Sequence, residues 1–309
     1  MASGAYILQT YGDVSIKEDV LKDIEILTAT ENFIHNMLGK TTAIQTIHQT
    51  LYDTLDTVTS ASYTVAENAD YSNVAITTPS RFTNLIEIIA KKFEVSRTQQ
   101  QVEHYHGQDE LSRQVTKAMK DWANYAERQI VRGSLTSGQS STAPKMNGII
   151  MGISKSTTYT AQTSGTVWSA SILRGLMKNN WDNSNGDVAT DIFMGSYLKN
   201  ETDSFGNKTN IVNTGLNVRE IVNVVDVFET GLGKVRVYPH RYVQISGTDA
   251  TGRVLGINPD KIKIAYLKRT FIDTGLQRAG DYDPRAIVGK LTTEIRNQDS
   301  NFFASGYLI

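Results

Sequence analysis

The sequence predicts an α+β fold in which long parts of the chain extend away from their own core. One amphipathic stretch, residues 109–133, is long enough to form a single extended helix. A mostly polar excursion, residues 60–82, leads into an apolar run rich in β-branched residues, which is typical of a ribbon that returns to a strand. Strand-like runs dominate after residue 145. Together these features predict an N-terminal arm, an extended β-ribbon, one long helix and a β-rich region.

Composition excludes several classes of protein. The 309 residues include 31 basic and 32 acidic side chains and no cysteine. Disulfides, thiolate zinc sites and cysteine nucleophiles are therefore excluded. A protein whose main task is to grip nucleic acid normally carries a basic excess, whereas a formal charge of −1 lets copies of one chain pack closely with little repulsion. The N-terminus lacks the pattern of a secretory signal, and no apolar run approaches the ~18 residues of a membrane span, so we expect no membrane partner.

The first hundred residues are predicted to form an arm and a ribbon. Residues 1–49 contain short stretches with helical spacing of apolar side chains, and one helical turn after Thr30 is expected to stop at Gly39. Residues 50–100 are too long for an ordinary hairpin connection, and a loop of this length in a compact domain is either functional or disordered. Their Thr, Val, Tyr and Ile content favours an ordered ribbon that ends in the strand LIEIIAKKFEVSR.

The helix is predicted from Asp109, which can cap it, to Gly133, which can end it. At 1.5 Å per residue it would be about 35 Å long. One apolar stripe recurs every three or four residues along it: Leu111, Val115, Ala118, Trp122, Ala126 and Ile130. The stripe predicts that this face of the helix, Trp122 included, packs into the core.

The stretch VEHYHGQDE before this helix contains His104 and His106, which would share one face of a strand and could meet a metal ion. A third ligand would have to come from elsewhere, because Asp109 and Glu110 belong to the helix start. The simpler interpretation is a strand end, a turn and a capped helix. We therefore predict no metal site, and keep a metal-dependent enzyme centred on the two histidines as an alternative hypothesis.

No other motif predicts chemistry. GKTT at residues 39–42 resembles the end of a phosphate loop, but such a loop needs glycine at the position of Ile34, so we interpret the run as a helix stop. The sequence has neither the G-x-S-x-G turn of hydrolases nor a dinucleotide-binding glycine pattern after a strand. We accordingly predict no enzyme activity, no catalytic residue and no cofactor.

Past a polar linker, residues 134–145, the second half is predicted to contain one helix and several strands. The clearest feature is a hairpin over residues 219–243 that turns at TGLG, Thr230 to Gly233. The remaining predicted elements are a helix over 166–180 and strands over 262–272 and 286–296.

Several stretches resemble the major capsid proteins of tailed bacteriophages with the HK97-type fold, in the group without a long N-terminal scaffolding extension. Near the start these are GDVSIKEDVLKDIEIL and TATENFIHNMLGK, followed by TNLIEIIAKKFEVSRTQQQ, APKMNGII and SGTVWSASILRGLMK. The most specific lie in the last third: VFETGLGKVRVYPHRYV, VLGINPDKIKIAYLKR and TGLQRAGDYDPRAIVGKLTTEIRN. The resemblance spans nearly the whole chain.

The resemblance implies a division into five parts. These would be an N-terminal arm (1–49), an extended loop with its return strand (50–100), a peripheral domain with the spine helix (101–144), an axial domain (145–285) and a C-terminal strand that returns to the peripheral domain (286–309). It also implies that the protein forms hexamers and pentamers, which close an icosahedral shell around double-stranded DNA. The protein would be part of the virion capsid and assemble in the host cytoplasm.

The implied partners are copies of the same chain, a portal protein, decoration or scaffolding proteins, and packaged DNA contacted without sequence specificity. A related alternative is the shell protein of an encapsulin-like nanocompartment, which encloses enzymes. Within the ribbon we predict four residues that contact neighbouring subunits: Glu67, Asp70, Tyr71 and Arg81.

Overall fold

The computed structural model describes eleven segments of the chain. They are residues 32–53, 66–70, 78–103, 109–139, 142–153, 160–184, 187–205, 210–214, 218–222, 227–245 and 249–308. For residues 160–165, 210–214 and 218–222 it describes the backbone strands alone.

Helices and strands are both present, so the predicted α+β class is confirmed. The helices are α1 (Phe33–Met37), α2 (Arg97–Gln101), α3 (Glu110–Arg132), α4 (Ile149–Ile153), α5 (Ala170–Asn183) and α6 (Ser196–Asp203). The strands are β1 (Gly39–Thr42), β2 (Ile47–Tyr52), β3 (Ser80–Leu85), β4 (Glu87–Ser96), β5 (Thr160–Thr166), β6 (Asp191–Met194), β7 (Asn210–Thr214), β8 (Val218–Val222), β9 (Val227–Thr230), β10 (Gly233–Pro239), β11 (Gly252–Ile257), β12 (Ile262–Asp273), β13 (Tyr282–Ile295) and β14 (Phe302–Tyr307).

A four-stranded sheet, in the order β1-β12-β13-β4, carries the long helix α3 on one face. The predicted cap is confirmed, because a carboxylate oxygen of Asp109 accepts the backbone N–H of Ser112 at 3.1 Å. Ala118, Trp122, Ala126 and Ile130 of the apolar stripe are buried, whereas Leu111 and Val115 are half-buried. Trp122 donates its indole N–H to the backbone oxygen of Ile89 in β4 at 3.0 Å. Periodicity alone therefore identified both the helix and its buried face.

A six-stranded sheet, in the order β5-β14-β11-β6-β10-β9, is buried on both faces at its centre. Phe193, Leu255 and Phe303 belong to the core formed with α3. Their neighbours along the strands, Ile192 and Val254 among them, belong to a second core formed with α5 and α6. Because side chains alternate between the two faces of a strand, the central strands read as continuous apolar runs rather than as alternating ones.

Two short segments differ from the sequence-based interpretation. GKTT is not simply a helix stop: the helix ends at Met37, and Gly39–Thr42 forms the edge strand β1, which pairs in parallel with β12. The stretch at 134–145 is not an open linker either. Thr136 and Lys145 exchange backbone hydrogen bonds of 3.1 and 3.2 Å, and Gln139 and Thr142 do the same. Polar composition concealed this pairing, because backbone hydrogen bonds need no apolar side chains.

The predicted hairpin is present but shorter than expected. Its strands are β9 and β10, with Thr230 opposite Gly233. The preceding strand β8 pairs with β7 in a separate two-stranded sheet and does not continue into the hairpin. In the C-terminal part, the predicted boundary at residue 286 falls inside β13, and β14 lies in the six-stranded sheet.

Candidate assembly surfaces

The base of the ribbon is the antiparallel pair β2–β3, which runs in register from Ile47 opposite Leu85 to Tyr52 opposite Ser80. Alternation along the strands gives the pair two different faces. His48 and Thr50 in β2 and the buried Asn84 in β3 face β13, whereas the residues between them face away from the protein.

The inner face is fastened to the four-stranded sheet by two polar clusters. The Asn84 side-chain N–H groups donate to the backbone oxygens of Asn147 at 3.0 Å and Thr293 at 2.9 Å, and its oxygen accepts the N–H of Asn147 at 2.8 Å. The carboxylate of Glu294 contacts His48 at 2.9 Å and Arg296 at 2.7 Å. These clusters fix β2 and β3 against the four-stranded sheet.

The Glu294 carboxyl is held in its charged form. Burial alone would raise its pKa, but the hydrogen bonds and charges of Arg296 and His48 outweigh burial and lower it. The cluster at the ribbon base is therefore an ionic one at neutral pH.

The outer face of the ribbon base is apolar and open. Ile47 and Leu51 point away from the sheet and are 51% and 68% exposed, and Ile44, just before the strand, is 84% exposed. Branched side chains of this size are normally buried in a monomer, and a contiguous group of them marks a site of contact with another molecule.

A pocket of about 460 Å³ continues this apolar surface. It lies between the end of β3, the paired segment 134–145 and the face of the four-stranded sheet opposite α3. Its lining is mainly apolar and includes Leu85, Ile86, Ile88, Pro144 and Leu267, with Lys290 among the polar residues. Ile88, in the edge strand β4, is 54% exposed there, so the described residues leave this side of the strand largely uncovered.

The ribbon tip carries two of the four predicted contact residues. Residues 66–70 form an exposed turn, in which the N–H of Ala69 donates to the oxygen of Ala66 at 3.1 Å. Glu67 and Asp70 are exposed within it. Arg81 lies apart from them in β3, exposed and opposite Leu51. Tyr71 lies outside the described residues.

The contact residues predicted from the sequence, three charged side chains and Tyr71, do not include the exposed apolar side chains. Ile44, Ile47 and Leu51 fall in a stretch that was interpreted mainly as an arm. Ile47 and Leu51 share one face of the strand with Gln49, and this spacing could have identified the strand β2. What the pattern could not indicate is which of the two faces would be covered.

A buried carboxylate of α3 joins α1, at the start of the described chain, to the end of β10. Glu127 of α3 is fully buried and accepts the backbone N–H groups of Ile34 at 2.7 Å and His35 at 2.8 Å, at the start of α1. It also contacts Nε2 of His240, just after β10, at 3.0 Å. Because Nδ1 of His240 accepts a hydrogen bond from the N–H of Tyr242, the ring proton lies on Nε2. The Nε2–H group donates a hydrogen bond to the carboxylate of Glu127.

His104 and His106, the basis of the alternative metal hypothesis, lie outside the described residues. Among the residues that are described, no group of three or more His, Asp or Glu side chains could hold a metal ion. Within the same segments, no helix is both long and apolar enough to cross a membrane.

Solved structures similar to this chain are capsids and related shells. The capsid of Myoviridae phage XM1 has a TM-score of 0.62 and 10% identity, with 98% of this chain and 100% of that chain covered. The capsid of an empty GTA particle has a TM-score of 0.66 and 11% identity over 97% and 98% of the two chains. The holo-SrpI encapsulin complex from Synechococcus elongatus has a TM-score of 0.61 and 11% identity over 97% and 96%. At such identities these likenesses establish the fold, which is the predicted HK97-type capsid fold.

A search of the curated proteins found no match to the chain. The family model of the SU10 major capsid protein matches residues 3–307, which is nearly the whole sequence. The matched range includes α3, both large sheets, the ribbon base and its tip. The chain therefore belongs to the SU10 major capsid protein family.

Proposed function

We propose that this major capsid protein assembles as hexamers and pentamers into a closed icosahedral shell that encloses double-stranded DNA. The observation that carries the proposal is the open apolar surface of the ribbon base and its pocket. Ile44, Leu51 and Ile88 would be costly to leave in water, at about 25 cal/mol per Å² of apolar surface. A second copy of the chain covers them, and repetition of the contact around symmetry axes closes the shell.

The ribbon contributes contacts at both ends in this proposal. Glu67, Asp70 and Tyr71 at the tip contact one neighbouring subunit, and Arg81 at the base contacts another beside Leu51. The exposure of the tip turn and the placement of Arg81 on the outer face support these roles. The five-part division of the chain, from the arm at 1–49 to the strand at 286–309, belongs to the same proposal.

Expression of the protein alone, followed by negative-stain electron microscopy of the largest particles, tests the assembly. We expect closed shells from the unmodified chain. The double variant Ile44→Glu/Leu51→Glu should remain folded, because both side chains are exposed, but should elute as small oligomers. The matched double variant Ile44→Val/Leu51→Met keeps both sites apolar and should still form shells. Closed shells from the glutamate variant would contradict the proposal. So would an unmodified chain that stays monomeric at high concentration.

An encapsulin-like compartment is the second candidate, favoured by the likeness to the SrpI encapsulin. The two candidates differ in content, because a virion shell holds nuclease-resistant DNA and a nanocompartment holds protein. The family match supports the virion, in which the shell would also contact a portal and decoration or scaffolding proteins, after assembly in the host cytoplasm. Nucleic-acid analysis of nuclease-treated particles from infected cells distinguishes the two.

A further inference from the structure

The face of α3 that points away from the sheet is basic. Lys117, Lys120 and Arg128 are all exposed. At 100° per residue they fall within one 80° sector of the helix, together with Arg113. Lys117 and Arg128 are separated by about 17 Å along the axis, at 1.5 Å per residue. The three cations therefore span about half the length of the helix.

Few of these charges are neutralised within the described residues. Arg113 is paired with Glu110, and Asp121, the one acid in the exposed stripe, is 3.6 Å from Lys91 of β4. Lys117, Lys120 and Arg128 form no ion pair with any side chain of the described segments. The four cations of this sector, set against Glu110 and Asp121, leave this face of α3 with a formal charge of +2, in a chain whose total is −1.

Such a stripe fits the phosphate backbone of a nucleic-acid duplex. Duplex DNA carries one charge per ~1.7 Å of its axis, so 17 Å of duplex presents about ten phosphates. Lysine and arginine on a straight helix can follow them without reading bases. The opposite face of the same sheet carries the apolar pocket, so the two surfaces of this part of the molecule differ in chemistry.

We propose that the exposed stripe of α3, defined by Lys117, Lys120 and Arg128, faces the lumen of the shell and contacts the backbone of the enclosed duplex DNA. The proposal rests on the proposed function, since it assigns one side of the subunit to the interior. It also explains how a nearly neutral chain holds a polyanion, because this face of α3 carries a local excess of positive charge.

The first test measures binding of unassembled full-length protein to a random-sequence 30-base-pair duplex at several salt concentrations. The variant Lys117→Gln/Lys120→Gln/Arg128→Gln should bind more weakly, and its slope of log K against log salt should be shallower by about 2 to 3, at ~0.9 per lost phosphate contact. The control variant Arg174→Gln/Lys178→Gln/Lys234→Gln removes the same charge from α5 and the β9–β10 hairpin and should keep the original slope.

The second test asks which side of the shell the stripe occupies. Intact and dissociated shells are treated with a bulky amine-reactive reagent that is too large for the shell pores, and labelled lysines are identified by mass spectrometry. Lys117 and Lys120 should react at least tenfold faster after dissociation. Equal labelling in intact shells would overturn the lumenal assignment.

The two proposals can fail separately. If no shell forms, the proposed function fails, but binding by the unassembled protein still reports on the stripe. If shells form and the stripe variant binds DNA with the original salt slope, the DNA contact is overturned while the shell function stands. A slope reduced equally by the control variant also overturns the contact, since it would reflect total charge alone.

Discussion

Glu127 shows how one buried charge can hold distant parts of a chain together. Its carboxylate receives three hydrogen bonds, from the start of α1 and from His240, and has no contact with water. A buried carboxylate is tolerated only when donors compensate for the hydration that it loses. The three donors provide this compensation, and all of them lie far from α3 in the sequence.

Glu127→Gln is expected to destabilise the subunit by about 3 kcal/mol, because the amide N–H₂ group would face donors and leave at least one of them unpaired. Chemical denaturation of the dissociated subunit measures the change. Glu94→Gln is the matched control: Glu94 pairs with Lys92 on the surface, and its loss should change the free energy of unfolding by less than about 0.5 kcal/mol. Equal effects of the two substitutions would contradict the role given to Glu127.

His35 predicts a loss of stability in mild acid. Burial lowers the pKa of its imidazole below the ordinary value of 6.5, with a smaller contribution from the charge of Lys40. As the pH falls below 6.5, the unfolded chain takes up a proton that the folded chain resists, so the free energy of unfolding decreases. Denaturation at pH 7.5 and 5.5 should show a smaller pH dependence in His35→Gln than in the unmodified protein. An unchanged pH dependence in His35→Gln would contradict the role given to His35.

Gly289 of β13 lies directly beneath the indole of Trp122. A Cβ atom there would come within 2.5 Å of Trp122 Cζ2 and 2.9 Å of Thr270 Oγ1. Gly289→Ala is therefore expected to cost about 1–3 kcal/mol, as overpacked cores do, measured as a lower melting temperature of the subunit. Gly175→Ala is the opposite case, because nothing lies within 4 Å of its Cβ position inside α5, and it should stabilise by up to ~1 kcal/mol. The reverse order would show that Trp122 does not pack as described.

At the scale of elements, helices and strands are predicted best where the spacing of apolar residues matches the face that is buried in the structure. The long helix has a cap, a stripe and a glycine end, so its limits were predicted within a residue. The central strands β6 and β11 gave no alternation, because both of their faces are buried. Strand β1 gave little signal of any kind, since a short polar edge strand is held mainly by its backbone hydrogen bonds to β12.

The ribbon is the element whose loss should separate folding from assembly. Deletion of residues 66–76 removes the exposed tip turn and leaves the anchoring residues Asn84 and His48 in place. The subunit should keep its circular dichroism spectrum and its melting temperature but fail to form shells. Shells of normal size from the deletion variant would show that the tip makes no essential contact.

At the scale of the molecule, the resemblance in sequence identified the family, whereas the surfaces came from the structure. A family is recognised by the order of its elements along the chain. A surface such as Ile44, Leu51 and Ile88 is assembled from residues far apart in sequence, and its exposure depends on what remains uncovered after folding. The apolar surface beside Arg81 could therefore be found only in three dimensions. The contact residues chosen from the sequence at the ribbon remain predictions.

The strands β6, β11 and β14 each contribute side chains to two hydrophobic cores at once. If one core unfolds, these shared strands lose their packing on one face, and the other core is destabilised as well. We therefore expect the two cores to unfold together. Calorimetry of the dissociated subunit should accordingly record a single transition, and a fragment cut near residue 145 should not fold alone. A shell built from such subunits can change shape at their borders while each building block remains rigid.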